Sequence, residues 1–194
     1  MAPNFEEAIR LIDEAHTKDP NVILVDGIQV PYELHYANQM TRYLGQHDPS
    51  ASELLRLAVR AQHLRRWEVA RSSYPMDRQG YFAWRTGLKN RQAVQAEEIC
   101  QNCGYSPEDA ARVAALIRKE NMRKDPECQV LEDVACLVFL DDQFEEFEKE
   151  HDEDKIVGIL KKTWGKMSDR GHELALQISM SERVKELVTK ALAS

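Results

Sequence analysis

Apolar residues recur every third or fourth position along almost the whole chain, and this periodicity constrains the fold more than any other feature of the sequence. Phe5, Ala8, Ile9, Leu11, Ile12 and Ala15 define a first helix that stops before Asp19-Pro20. The one strand-like run, VILVDG, is short, has no second run to pair with and is followed by Gly27 and Pro31, so it reads as a loop packed on the core. Pro31 suits the first turn of a helix holding His35, Tyr36, Met40 and Leu44. Ser50 or Ser52 caps a long helix carrying AQHLRRWEVAR, residues 61–71, and SSYPMDRQGY breaks it. Further helices are expected from about Tyr81 to Cys103, from Ser106-Pro107 through ALIRKEN, and from about Glu127 to His151. Two amphipathic helices, at about 153–165 and 169–192, complete the bundle. The reading is an all-α bundle of seven or eight helices in one domain spanning 1–194.

A chain of 194 residues that is 43% hydrophobic, with only 8 glycines and 7 prolines, can bury a substantial core. No apolar run reaches the roughly 18 residues a bilayer span needs, so no membrane partner is expected. The acidic amphipathic N-terminus lacks the basic start of a signal peptide, and Cys136 sits inside the apolar run VACLVFL. Together with Cys100, Cys103 and Cys128 it reads as a free thiol in a reducing cytoplasm.

The net charge of −7 is unevenly spread. Residues 56–92 carry nine basic side chains and two acidic ones, whereas residues 141–154 carry nine acids and one lysine. An acidic protein with one basic segment points to a discrete anionic ligand ahead of nucleic acid, whose binding needs a broad positive surface. In that segment Arg65, Arg66, Arg71, Arg78 and Arg85 alternate with Trp67, Tyr74, Tyr81 and Trp84. Guanidinium forks beside aromatic faces hold phosphate and stack a base or sugar, and the bland alternative is a solvated face paired with the acidic stretch.

Asp133 heads a helical stripe that continues as Leu137, Leu140, Phe144 and Phe147. A carboxylate there needs a metal, a basic partner or a capping role. His35 and His63 each lie near an apolar stripe, and with Asp133 they form a set of types that can hold a divalent cation. His16, His47, His151 and His172 lie in polar surroundings and read as surface residues. Cys100-Gln-Asn-Cys103 has the spacing of half a zinc site, with no second pair to complete it. No P-loop, dinucleotide-binding glycine set or nucleophile elbow is visible, so neither NAD nor flavin is expected.

Taken together, VDG, PYELHYANQMTRYL, ASELLRLAVRAQHLRRW, YPMDRQGYFAWRTGL and LIRKENMRKDPECQVLEDVACLVFLDDQFEEF resemble the bacterial and fungal family known as domain of unknown function 4202, over about residues 26–147. That family in turn looks like a distant relative of the HD superfamily of metal-dependent phosphohydrolases, which are helical domains. The resemblance implies an HD-domain-like fold in which His35, His63 and Asp133 bind one divalent metal ion. Leu64 stands where the aspartate of the His-Asp pair would be. The resulting expectation is a phosphohydrolase acting on a small phosphorylated substrate such as a nucleotide. Arg65, Arg66, Trp67, Arg78, Tyr81, Trp84, Arg85 and Lys119 would bind that substrate, and Glu68 or Glu120 would position the attacking water. The alternatives are a metal-free module binding a phosphorylated ligand or RNA, and an HD-like iron oxygenase. The amphipathic C-terminal helix can either close the core or form a homodimer.

Overall fold

The computed structural model describes residues 2–122 and 124–193. Its helices begin where a short polar side chain can accept a backbone N–H. Asn4 caps α1 (Phe5–His16), Ser52 caps α3 (Glu53–Arg60), Asp77 caps α4 (Arg78–Asn102), and Ser106 caps α5 (Pro107–Arg118). Asp125 caps α6 (Pro126–Val138) by accepting from the amides of Glu127 and Cys128, with Pro126 already holding a helical φ. α2 (Tyr32–His47) starts directly from Pro31. α6 passes through a π turn at Phe139–Gln143 into α7 (Phe144–Lys149), and α8 (Glu153–Trp164), α9 (Asp169–Ala175) and α10 (Glu182–Ala193) close the chain.

The all-α expectation holds, with departures that have local causes. VILVDG is not a loop: β1 (Val22–Val25) and β2 (Ile28–Pro31) form an antiparallel hairpin pairing Ile23 with Val30 and Val25 with Ile28. Asp26 and Gly27 both take positive φ, 50° and 80°, the two-residue turn that an Asp-Gly pair favours. The expected long helix through residue 71 ends at Arg60. The single C-terminal helix expected over 169–192 is two, α9 and α10, the second starting after Ser181.

α4 lies along α5, α2 along α6, and α10 along α8, while α3 packs between α2 and α5. Met40, Leu55, Leu57, Leu64, Leu116, Ile117, Leu131 and Leu137 are almost completely buried where these helices meet. His16 is not on the surface. It is fully buried, its Nε2 donates to the carbonyl of Arg60 at 3.0 Å, and burial pushes its pKa down to about 4, so the ring is neutral.

Asp133 ties α2, α6 and α9 together. It has no exposed surface, and it accepts from His47 Nε2 at 2.8 Å, Gln129 Nε2 at 2.9 Å, the Ser168 amide at 2.9 Å and the Ser168 hydroxyl. α9 can come this close because its residue there is Gly171, whose Cβ would stand 2.8 Å from the Asp133 carboxyl carbon. Burial by itself would raise this carboxyl's pKa, but the hydrogen bonds from His47, Ser168 and Gln129 prevail and hold it below its ordinary value of 3.8. A depressed folded-state pKa contributes stability above the unfolded value and loses it as pH falls through the folded one. Asp133→Ala, which removes the acceptor of four donor groups, is expected to destabilise the protein by about 3 kcal/mol at neutral pH, read from urea unfolding. A loss below about 0.5 kcal/mol would show that the tie contributes little.

Candidate anion-binding cavity

The stretch AQHLRRWEVAR turns sharply instead of continuing α3. Ala61 caps the helix, and the backbone then passes through the left-handed region at His63 (φ 63°) and Arg65 (φ 50°). Residues with a β-carbon enter that region at a cost of about 1 kcal/mol or more, and such strain gathers at functional sites. The turn drives Leu64 into the core, where it is 1% exposed, and swings His63 onto the face of Tyr36 with centroids 4.0 Å apart. An aspartate at position 64 would therefore point into hydrocarbon.

His63 lies on the wall of a cavity of about 390 Å³, within the size range of small-molecule sites. Its lining has two chemistries. The turn, α4 and α5 present Arg66, Arg85, Lys89 and Lys119, and Lys166 joins them from beyond α8. The segment from α6 to α8 contributes the apolar side chains of Ala135, Cys136, Phe139, Phe147 and Ile159 together with Glu132, Gln143 and Thr163. Among the described lining residues, Glu132 is the one carboxylate, set against five cations. It pairs with Lys119 and lies 3.5 Å from Lys166; burial would raise its pKa, but these cations prevail and keep it ionised.

Two titratable groups beside the cations are neutral. Arg66 Nη1 is 2.8 Å from His63 Nε2, and because arginine can only donate, Nε2 accepts and the ring proton sits on Nδ1. Burial, reinforced by Arg66 and Arg85, lowers the His63 pKa well below 6.5. Glu33 Oε2 faces His63 Nδ1 at 4.0 Å, and neither atom has a hydrogen-bond partner. Burial raises the Glu33 carboxyl to about 8, so it is protonated at neutral pH and cancels none of the cationic charge. The Arg66 guanidinium lies 4.9 Å from the Trp84 ring centroid, and Trp84 Nε1 anchors to the Val69 carbonyl. Gln92, 3% exposed, lines the cavity with its amide nitrogen unpartnered, which leaves a buried donor available to a ligand.

The expected metal ligands are not brought together. His35 Nε2 is 2.5 Å from Asp142, Asp133 is held by His47 and Ser168, and only His63 lines the cavity. No group of three His, Cys, Asp or Glu side chains suited to a metal occurs among the described residues, and these three do not fit one ion. The expected water-positioning carboxylates are also elsewhere: Glu68 pairs with Arg91, and Glu120 bonds the exposed Arg118 pair at 3.4 Å. Of the expected ligand-binding residues, Arg66, Tyr81, Arg85 and Lys119 line the cavity, and Trp84 supports Arg66 from behind. Arg65 and Trp67 lie outside the lining, and Arg78 stacks over Phe82.

Lys89, Gln92 and Lys166 are lining residues that sequence reasoning passed over. The signal for the first two lies in α4, where Tyr81, Arg85, Leu88, Lys89 and Gln92 share one face at i, i+4, i+7, i+8 and i+11. The cavity-facing charge follows that stripe and not the alternation of arginine with aromatic residues. The π turn adds a second device: it sends Phe139 and Gln143 to the cavity while Asp141 and Asp142 reach Arg42 and His35 on α2.

A family model described as a domain of unknown function (DUF4202) matches residues 6–188. No curated protein and no solved structure matches the chain.

Glu33 carries a sign that can be measured. It ionises near 4.5 when unfolded and near 8 when folded, so the folded state holds the extra proton between those values and stability falls as pH rises across that window. Glu33→Gln is expected to flatten that fall in urea unfolding curves taken from pH 5 to pH 8, with its largest relative stabilisation at the alkaline end. An unchanged slope would mean that Glu33 is ionised in the folded protein.

Proposed function

The chain belongs to the DUF4202 family, and from its cavity we propose that it is a binding protein for a small phosphorylated molecule, held without a metal ion. The observation that carries this reading is the ring of five cations with one carboxylate around a cavity that also holds the unpartnered Gln92 amide. A phosphate or phosphate ester supplies acceptor oxygens to Arg85, Lys89 and the Gln92 amide, and charge-assisted hydrogen bonds are the stronger kind. Lys89 supports the assignment: burial, Lys119 and Arg85 all lower its pKa, so a bound anion would relieve repulsion among the cations. The apolar side chains in the same lining, Leu88, Phe139, Phe147 and Ile159, favour an organic phosphate over the inorganic ion. Hydrolysis is not part of the proposal, because among the described residues the one carboxylate lining the cavity, Glu132, is paired, and no set of three metal-ligating side chains occurs.

The test is calorimetric titration with inorganic phosphate, sugar phosphates, nucleoside phosphates and simple alkyl phosphates, with and without a chelator. Binding that survives the chelator and weakens as salt rises is expected. Arg85→Ala and Lys89→Ala should each weaken it by about tenfold or more, on the scale of one lost charge-assisted contact. Binding abolished by the chelator and restored by a divalent ion would overturn the metal-free reading. No saturable binding of any phosphate compound would overturn the function.

A further inference from the structure

A second cavity, of about 330 Å³, lies against the adjacent face of α8 and is lined mainly by apolar side chains, among them Leu160, Trp164, Ile178, Val188 and Leu192. Thr163 lines both cavities. On the first cavity's side, α8 contributes Ile159 next to the apolar wall of Phe139 and Phe147; one helical turn on, Thr163 is a small side chain at the junction. The second cavity is open to an apolar occupant: Leu176, on its wall, is 70% exposed and Leu192 is 46% exposed. Its one charged lining group, Lys185, already pairs with Glu182. The two linings thus meet at Thr163: the first carries the cations together with Phe139, Phe147 and Ile159, and the second is mainly hydrocarbon.

Resting on the anion-binding reading above, we infer that the ligand is a phosphorylated amphiphile: a phosphate monoester whose phosphate sits among Arg85, Lys89 and Lys119 and whose single hydrocarbon chain passes Thr163 into the second cavity. At about 30 Å³ per atom-sized group, the share of a water molecule in the liquid, that cavity has room for on the order of ten carbons.

The experiment is calorimetric titration of the full chain with inorganic phosphate and with methyl, butyl, hexyl and octyl phosphate, each below its micelle concentration. Affinity is expected to rise by up to about fourfold per methylene once the chain is long enough to pass Thr163. Leu176→Asp combined with Leu192→Asp, both at exposed positions, should flatten that rise and leave inorganic phosphate binding unchanged. Octyl phosphate binding no tighter than methyl phosphate would overturn the amphiphile and leave the anion site standing. A rise that persists in the double variant would place the chain elsewhere and overturn the second cavity's role. If nothing binds, both readings fail together. Light scattering supplies the remaining alternative: a dimer of the free protein that Leu176→Asp dissolves would assign the apolar face to a second copy and overturn the inference.

Discussion

A carboxylate with no exposed surface has to be surrounded by donors, and the way Asp133 meets that requirement organises the molecule. Its oxygens are reached from α2 by His47, from α6 itself by Gln129, and from the start of α9 by Ser168, whose hydroxyl also caps α9 at Gly171. Three helices are thereby fixed at one point, and Gly171 is what lets the third approach. The same bonds exhaust the carboxylate. An oxygen pair already accepting from an imidazole, an amide side chain, a hydroxyl and a backbone N–H has little capacity left for a cation, so the residue with most promise as a metal ligand is committed to architecture.

With Asp133 committed, the chemistry moves to the turn after α3. The left-handed backbone at His63 and Arg65 performs two tasks that a continued helix could not. It buries Leu64, and it sets Arg66 against both His63 and Trp84, so that a buried guanidinium has a ring nitrogen and an aromatic face as partners. Lys119 is presented by a similar device, a left-handed residue closing α5. Of these three positions His63 and Lys119 place their side chains on the cavity wall, where Tyr36 packs against His63 and Glu132 pairs with Lys119.

The helical class, the start of α3 at Ser50 or Ser52, the start of α5 at Ser106-Pro107, and the basic character of the centre could all be read from the sequence, because they rest on local spacing and on side chains acting within one turn. The hairpin was also written locally, in Asp26-Gly27, and was hidden by the shortness of its two strands and by Val22, Leu24 and Ile28 being exposed instead of buried. The end of α3 was not legible. Nothing in AQHLRRWEVAR is a helix breaker, and the turn is imposed by tertiary packing of His63 on Tyr36 and of Leu64 in the core. The partners of His35, His47 and Asp133 were equally out of reach, since Asp142, Asp133 and Ser168 stand far away in sequence and come together only through the packing of α2, α6 and α9. Alternation of arginine with aromatic residues pointed to the right segment and to several wrong side chains, because it ignored the helical period that places Arg85, Lys89 and Gln92 on one face.

The acidic stretch at 141–154 shows how charge separation is kept within so small a protein. Its first two acids are turned away from the cavity by the π turn and are taken up by Arg42 and His35. Glu148 and Glu153 are taken up by Arg183 on α10. Had α6 run on as a regular α-helix, residues 141–143 would have rotated by most of the angle that one inserted residue adds, about 100°. A carboxylate would then stand near the place that Gln143 holds beside Tyr32. A negative charge there would lower the positive potential that Arg66 and Arg85 create. The extra residue in the π turn and the neutral Glu33 are two separate solutions to one electrostatic requirement: near the cations, the described acids are either discharged, paired or turned away.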